Sequence, residues 1–324
     1  MLKYTIKRLI MLPIMLLVVA LLIFILLNLS ESDPVVLMLP SEYTQEQYDA
    51  MAAKFGLDKP MMVQYFNWVK NAVQGNLGLS YKTKGPVTDD VAFRIPISIK
   101  LAFYTTIVMI IIGVPLGVMC AVKQYSVFDG IVNVLAKFMG AIPTFWLGLM
   151  LILAFSIKLG WFPTYGIETW RHWVLPMITL LLPYLANYIR QVRSAMLDCI
   201  RQDYVRTARS KGAKESRVIF RDALKNALLP IITFTGGCFA SLIGGAVVVE
   251  RVFAIPGLGN KIVDSINHRD IPTLLACTMV LAVFSIVVQL VIDLCYAAID
   301  PRVKSTYENS HKIKKLRTKT EGAK

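Results

Sequence analysis

Six runs of about 20 apolar residues constrain this 324-residue chain more than any other feature. The hydrocarbon core of a bilayer is about 30 Å thick, and about 20 residues of helix cross it because no backbone polar group can stay unpaired in lipid. The sequence therefore predicts an all-α polytopic membrane protein with helices over 9–29, 101–122, 138–157, 173–189, 227–249 and 271–292. The first run follows Lys3, Lys7 and Arg8, but it is longer than a secretory signal core and lacks an A-x-A-like site, so we interpret it as a retained helix.

The distribution of charged residues predicts which ends of these helices face the cytoplasm. The chain is 56% hydrophobic and 17% charged, which excludes a disordered or disulfide-stapled protein, yet its net charge is +14. The segments 1–8, 123–137, 190–225 and 300–324 carry 23 Lys and Arg against 8 Asp and Glu, whereas 30–100, 158–172 and 250–270 carry 12 of each sign. The excess is therefore an orientation signal rather than a nucleic-acid signature, and it predicts that both termini are cytoplasmic.

Proline and cysteine fit the same interpretation. Five prolines fall within the predicted helices, where neighbouring helices can satisfy the carbonyls that proline leaves unpaired: Pro13, Pro115, Pro143, Pro176 and Pro183. All five cysteines lie in or beside membrane segments without metal-ligand spacing, so we expect them to act as small apolar residues.

The first segment predicted to be extracytoplasmic, residues 30–100, is polar and contains local helix signals. Thr44 with Gln47 three residues later predicts a capping box for a helix over 44–55, and Gly56 is a plausible stop. A second helix is expected over 60–73, followed by a turn over 75–80. The segment is too short for an independent catalytic domain, and we expect a small cap or docking surface.

The predicted cytoplasmic loop 190–225 contains ten of the basic residues. Its pattern favours two short amphipathic helices separated by Gly212, with Asp203 as a possible N-cap and Val205, Ala208 and Arg209 on one face. Three interpretations remain open from these residues. The loop is a solvated basic segment, a helix on anionic lipid, or a short helix that docks into a partner protein and transmits its motion.

This loop resembles the EAA loop of ABC-importer membrane subunits, E-A-A-x3-G-x9-I-x-L-P. The stretch Arg206-Thr-Ala-Arg-Ser-Lys-Gly212 occupies its first part, and Leu229-Pro230 occupies its end. Arg206 replaces the glutamate, and 14 residues rather than nine separate Gly212 from Ala227 at the isoleucine position. Both departures are similar to the form in the dipeptide/oligopeptide/nickel permease family.

Further segments resemble that family in the same order along the chain, from residue 4 to residue 302. They are the first helix with Asp33-Pro34, the stretches 56–60 and 75–80, Pro143-Thr-Phe-Trp-Leu-Gly148, Phe253-Ala-Ile-Pro-Gly-Leu-Gly259, Arg269-Asp-Ile-Pro272 and Asp300-Pro-Arg302. The long first outer segment is similar to the B-type subunit. The resemblance implies the permease architecture of a type I ABC importer: an N-terminal helix over 1–29, the outer segment 30–100, a five-helix core over 101–300 and a basic tail over 301–324.

What the resemblance implies functionally is a non-enzymatic subunit of a binding-protein-dependent importer in the bacterial cytoplasmic membrane. Its partners would be a second homologous permease subunit, two cytoplasmic ATPase subunits and an extracytoplasmic solute-binding protein. The chain has no G-x-x-x-x-G-K-[ST] run, so ATP and Mg²⁺ would belong to the ATPases, with no cofactor or metal in this chain. Di- or oligopeptides are the expected solutes, with nickel chelates, metallophores or glutathione as alternatives.

The resemblance and the residues together name candidate sites. The surface coupled to the ATPase would comprise Tyr204, Arg206, Ala208, Arg209 and Gly212. Along the translocation pathway we expect Asp293, Trp146 and Phe253, and in an outer loop Pro256, Gly257 and Gly259. Glu250 and Arg251 mark the outer end of the fifth helix as loop anchors.

Two other classes of protein remain as alternatives. A stand-alone secondary transporter would show intramembrane charges and internal repeats, and the sequence offers only Asp293 and no clear repeat. A membrane-embedded enzyme would need a catalytic motif such as H-E-x-x-H or G-x-S-x-G, and neither occurs.

Overall fold

The computed structural model describes the backbone of residues 2–29, 33–40 and 42–299, and the side chains of these residues except 2–10, 12, 27, 28, 37 and 293–299. The predicted tail over 301–324 lies outside the described residues. Within them the chain is helical, with one isolated antiparallel bridge between Leu79 and Pro86. The helices are α1 (Leu2–Asn28), α2 (Pro34–Met38), α3 (Gln45–Phe55), α4 (Met61–Val73), α5 (Val87–Val122), α6 (Val127–Ala141), α7 (Thr144–Leu151), α8 (Arg171–Ile200), α9 (Asp203–Ser210), α10 (Glu215–Arg217), α11 (Leu224–Val252), α12 (Leu258–Asn267) and α13 (Ile271–Ile299).

The membrane-spanning elements agree with the predicted set. Four stretches of the described chain are long and apolar enough to cross a bilayer, and they are Val87–Val122, Arg171–Ile200, Glu215–Val252 and Ile271–Ile292. The pair α6 and α7 passes the same test as one broken span, and Pro13–Leu26 is a shorter apolar stretch of α1. These elements together are consistent with six crossings.

The predicted continuous helix over 138–157 is wrong. Two helices, α6 and α7, meet there at a bend of 97°. Pro143 occupies the N-terminal cap position of α7 in an extended conformation, so α6 stops at Ala141. Proline has no amide hydrogen and disfavours a helical residue before it, which accounts for the break. Beyond Leu151 the helix continues as a π-helical segment, Ile152–Lys158. The other four prolines do lie inside helices.

The long helices pack through small residues. Gly113 and Gly117 of α5 face Tyr188 and Val192 of α8 so closely that a methyl group at either glycine would collide with those side chains. Close approach of two backbones is the usual role of glycine in membrane helices, because van der Waals packing rather than the hydrophobic effect holds helices together in lipid. Helices α5 and α8 make the most extensive contact between two helices of the described chain.

The local signals of the first outer segment are confirmed. Thr44 caps α3 through its hydroxyl, which accepts from the amide of Gln47 at 3.3 Å, and the Gln47 side chain accepts from the Thr44 amide at 3.0 Å. Gly56 ends α3 with a φ of +69°, a left-handed conformation that glycine adopts without strain. Helix α4 begins at Met61 after Pro60, one residue later than expected.

Two buried clusters give the bundle two distinct ends. One cluster combines α5, α8 and α11 with residues of α9, and we refer to this as the α9 end. The other combines α5, α8 and α11 with the connection that follows α11, and we refer to this as the α12 end. The hairpin around the Leu79–Pro86 bridge belongs to the α12 end, since Lys82 contacts Asp264 of α12 and Ser80 contacts Asp270 just before α13. Helices α2–α4 belong to the same end, because their apolar side chains share a cluster with Ile271 and Leu275 of α13.

Candidate coupling site and its anchors

Helix α9 is a short amphipathic helix that one side chain fixes to the bundle. Val205 is fully buried, and it belongs to the same apolar cluster as Met196 of α8 and Val218 and Ile219 beyond α10. Ala208, one turn later, packs against that cluster. Val205 therefore packs α9 tightly against the helices on both sides of it, in a close-packed interior that deforms little.

The sequence predicts the C-terminal end of α9 correctly but not its N-terminal end. Gln202 rather than Asp203 occupies the N-cap position and makes no side-chain capping bond, so the expected Asp203 cap is wrong. Asp203 is instead the first helical residue, where its charge complements the helix dipole. At the other end Gly212 has a φ of +75°, and α10 begins three residues later at Glu215. The predicted helix–Gly–helix order is confirmed.

The outward face of α9 is polar and accessible. Tyr204 is 42% exposed, and Arg206 is also exposed. Arg209 forms two hydrogen bonds with Glu215 of α10, at 2.6 and 3.1 Å, which close the turn at Gly212. A Cβ added at Gly212 would meet no atom within 4 Å, so within this subunit only the backbone conformation requires glycine there. Four of the predicted coupling residues are thus exposed, whereas Ala208 is partly buried. Arg209, which the sequence places on the same face as Val205, is among the exposed ones.

An ion pair with a buried carboxylate joins α6 to α8, and sequence reasoning missed it. Asp129 of α6 is 4% exposed and accepts two hydrogen bonds from Arg193 of α8, at 2.7 and 2.8 Å. The Tyr125 amide at 3.1 Å and the Asn133 side chain at 2.7 Å supply further donors. A buried carboxylate needs such a set of donors, since removal from water is otherwise strongly unfavourable. The pair ties the start of α6 to the helix that leads into α9.

At the α12 end, a second buried carboxylate holds α12. Glu250 is fully buried near the end of α11 and accepts from the Ser98 hydroxyl at 2.6 Å and from the Asn260 amide at 3.0 Å. Ser98 accepts in turn from the Leu258 amide at 2.8 Å. The carboxylate and the hydroxyl thus satisfy free amides in the first turn of α12, where the helix dipole also favours negative charge. These contacts support the expectation that Glu250 is an anchor.

The predicted outer-loop glycines fit tightly around this anchor. A methyl group at Gly257 would collide with the Glu250 carboxylate, and one at Gly259 would collide with the backbone of Val247. Pro256 is partly buried just before them. The outer loop expected over Phe253–Gly259 extends only to Gly257. Gly259 lies in the first turn of α12, a helix that the sequence does not predict, so its placement in a loop is wrong.

The polar segment before α5 is fastened to α12 and α13 by more charged groups. Asp270 is 1% exposed and accepts from the Ser80 hydroxyl at 2.5 Å and the Tyr81 amide at 2.9 Å. Lys82 contacts Asp264 of α12 at 2.8 Å. The ammonium of Lys261, 5% exposed, lies 2.7 Å from the Asp90 carboxylate of α5. The α12 end is therefore a cross-linked unit rather than a set of independent loops.

Comparisons with known proteins show the family to which this chain belongs. Residues 1–102 match the N-terminal family described as "Binding-prot-dependent transport system membrane comp, N-term", and residues 113–305 match "Binding-protein-dependent transport system inner membrane component". The chain belongs to this binding-protein-dependent permease family.

Relatives of this permease extend the match over nearly their whole length. The oligopeptide transport system permease protein AppB of Bacillus subtilis (strain 168) is 42% identical over 313 residues, covering 93% of this chain and 99% of the relative. The glutathione transport system permease protein GsiC of Escherichia coli (strain K12) is 36% identical over 304 residues, covering 94% and 99%.

Solved structures support the fold of the permease core. Inward-facing MetNI methionine ABC transporter structures match with TM-scores of 0.56 and 0.53 at 17% and 19% identity. Each match covers 65% of this chain and 96% of the solved chain. At that identity the likeness concerns the architecture alone, which is that of an ABC importer permease.

The remaining predicted positions in the permease do not form one site. Trp146 is 47% exposed on α7, whereas Phe253 is 2% exposed and packs in the cluster at the α12 end. The Asp293 side chain lies outside the described residues. No group of three or more His, Cys, Asp or Glu in the described part of the permease is arranged to hold a metal ion. The roles assigned to Trp146, Phe253 and Asp293 stay predictions.

Proposed function

We propose that this permease moves di- or oligopeptides inward as one of two membrane subunits of an importer powered by ATP hydrolysis elsewhere. The observation that carries the proposal is α9, a short helix with one fully buried anchor and an exposed polar face at the end of the bundle. Such a helix is suited to bind a groove on a moving partner and pass that motion to α8 and α11. The peptide cargo is supported by the oligopeptide permease that is 42% identical to this chain.

The partners proposed are a second homologous permease subunit, two cytoplasmic ATPases that bind ATP and Mg²⁺, and an extracytoplasmic solute-binding protein. In this arrangement the subunit has no enzymatic activity of its own. The charge asymmetry supports an orientation in which α9 and both termini face the cytoplasm of a bacterial cell. The α12 end then faces the binding protein.

Glutathione is the second candidate solute, because relatives that are 36–37% identical are glutathione permeases. Glutathione is itself a small peptide, so both cargoes share carboxylate, amide and ammonium groups. Competition between a radiolabelled oligopeptide and glutathione for uptake distinguishes the two solutes.

Transport in this scheme depends on two packed arrangements of the same helices with a small free-energy difference. ATP-driven closure of the ATPases moves α9, and Val205 transmits the movement to the apolar cluster shared by α8 and α11. The exposed side chains of α9 contact the ATPase, and Gly212 lets the turn seat closely against it.

The test uses matched glycine variants in the assembled transporter. Gly212→Val is strained at a φ of +75°, at a cost of about 1–3 kcal/mol, which predicts at least about fivefold lower ATP-dependent peptide uptake per inserted transporter. Gly212→Asn tolerates the left-handed conformation but adds a side chain to the proposed contact surface, so it also lowers uptake.

The control is Gly56→Val at the α12 end. Gly56 has a similar φ of +69° and, like Gly212, nothing within 4 Å of an added Cβ, so the variant imposes the same backbone strain away from α9. Uptake by Gly56→Val is expected to stay near the wild-type rate. Wild-type uptake by both Gly212 variants, or equal loss in Gly56→Val, contradicts the proposed coupling surface.

A further inference from the structure

Three helices enclose an apolar groove beside the bundle. Its volume is about 590 Å³, and it lies between α1, α4 and α13. On α13 its lining runs from Ala276 to Val287, which at 1.5 Å per residue is about 16 Å, close to the thickness of hydrocarbon in one leaflet of a bilayer. The groove therefore has the length of one acyl chain.

A polar cavity of about 230 Å³ adjoins this groove. Lys54, Gln64, Asn67 and Asn71 contribute its polar lining. The Lys54 ammonium lies 5.8 Å from the centre of the Phe55 ring and pairs with no carboxylate of the described residues. Lys54 is exposed, so its ammonium can pair with an anion at the mouth of this cavity.

Trp68 lines both spaces and therefore lies where they meet. Its indole Nε1 is buried, and among the described residues it has no hydrogen-bond partner. Buried indole N–H groups almost always donate to an acceptor, because an unmade hydrogen bond costs about 1–3 kcal/mol. An acceptor between a charged headgroup and an acyl chain is what a phospholipid ester carbonyl provides.

We infer that this groove binds one anionic phospholipid of the leaflet at the α12 end. The acyl chain lies along α13, the ester carbonyl accepts from Trp68 Nε1, and the phosphate faces Lys54. The apolar contacts alone give no preference, since the surrounding lipid tails are as apolar as the groove. Selectivity comes from the indole donor and the ammonium. This inference requires only a membrane-spanning chain and is independent of the proposed coupling to an ATPase.

Native mass spectrometry of the full-length chain, in the detergent-solubilised complex in which it assembles, tests the site. Phosphatidylglycerol and phosphatidylcholine are titrated separately, and bound lipid is counted. We expect one tightly retained phosphatidylglycerol per copy, with phosphatidylcholine retained less. Trp68→Phe keeps the ring but removes the donor and should weaken retention about two- to tenfold. Lys54→Gln should reduce the preference for phosphatidylglycerol about fivefold.

Matched variants separate the groove from general effects on folding. Ala72→Phe adds a ring to the groove lining on α4, whereas Ala53→Phe adds one to the exposed surface of α3. Of these two variants, only Ala72→Phe should displace the lipid. Trp161→Phe is the control for Trp68→Phe, and because Trp161 is 58% exposed, it should leave lipid retention unchanged. Wild-type retention by Trp68→Phe and Ala72→Phe overturns the site, and equal retention of both lipids overturns the role of Lys54.

Discussion

The contact between α12 and α11 leaves no room for a side chain at Gly259, and this gives a sharp prediction. A Cβ there would collide with the Val247 Cα and lie 2.8 Å from its Cγ2. Because backbone atoms cannot rotate away, Gly259→Ala must push α12 outward, at a cost of about 1–3 kcal/mol.

Cys277 reports such a displacement. It is fully buried in a cluster that contains Leu258, the first residue of α12. If the thiol becomes accessible through local opening, a loss of about 1–3 kcal/mol accelerates its labelling by about fivefold to a hundredfold. Labelling of the purified complex with N-ethylmaleimide, resolved by mass spectrometry for each cysteine, measures this rate.

A second buried cysteine and a second glycine variant serve as controls for this labelling experiment. Cys120, fully buried in α5 toward the α9 end, should keep its wild-type rate in Gly259→Ala. Gly130→Ala, at an exposed helical glycine with nothing within 4 Å of an added Cβ, should be neutral or stabilise by up to about 1 kcal/mol. If Gly259→Ala labels Cys277 no faster than wild type does, the tight α11–α12 contact is refuted as a stabilising feature.

Two further predictions concern charged groups. Asp129→Asn should destabilise the complex by about 1–3 kcal/mol in thermal unfolding, because it leaves the partly buried Arg193 without its carboxylate. The exchange Asp129→Arg with Arg193→Asp should recover part of the loss, and no effect of Asp129→Asn would contradict the pairing. Burial acts to raise the pKa of Asp264, but the Lys82 ammonium holds that pKa below its ordinary value. Ionised Asp264 therefore stabilises the fold above its unfolded pKa of about 3.9, and that contribution should fall as pH drops through the lower folded pKa. Thermal unfolding of Lys82→Met should show a smaller loss, because only His268 and Lys261 then keep the pKa low.

Local features of this fold could be predicted because each depends on neighbouring residues. Thr44 and Gln47 are three residues apart, Gly56 directly follows α3, and Gly212 lies two residues after the end of α9. The membrane helices could be predicted for the same reason, because an apolar run consists of consecutive residues. Helix signals of this kind need no knowledge of the distant chain.

The anchors could not be predicted because their partners are far apart in sequence. Asp129 and Arg193 are 64 residues apart, and Ser98 and Glu250 are 152 apart. Hydropathy treats each of these residues only as a polar position near the end of a helix. The break at Pro143 was also missed, since Pro115 lies in an equally apolar run and is accommodated within α5. Which proline breaks a helix depends on the packing around it.

The contact of Asp270 with Ser80 and Tyr81 has a consequence for biosynthesis. Asp270 follows Ser80 by 190 residues and Tyr81 by 189 residues. The ribosome therefore makes the hairpin long before it makes the Asp270 carboxylate that accepts its hydrogen bonds. At about 5–20 residues per second, the delay is roughly 10–40 s. Throughout that interval the hairpin and the first helix lack the segments against which they finally pack. Arrival of the last helix therefore completes the fold, and a nascent or truncated permease exposes polar groups that membrane proteases can recognise.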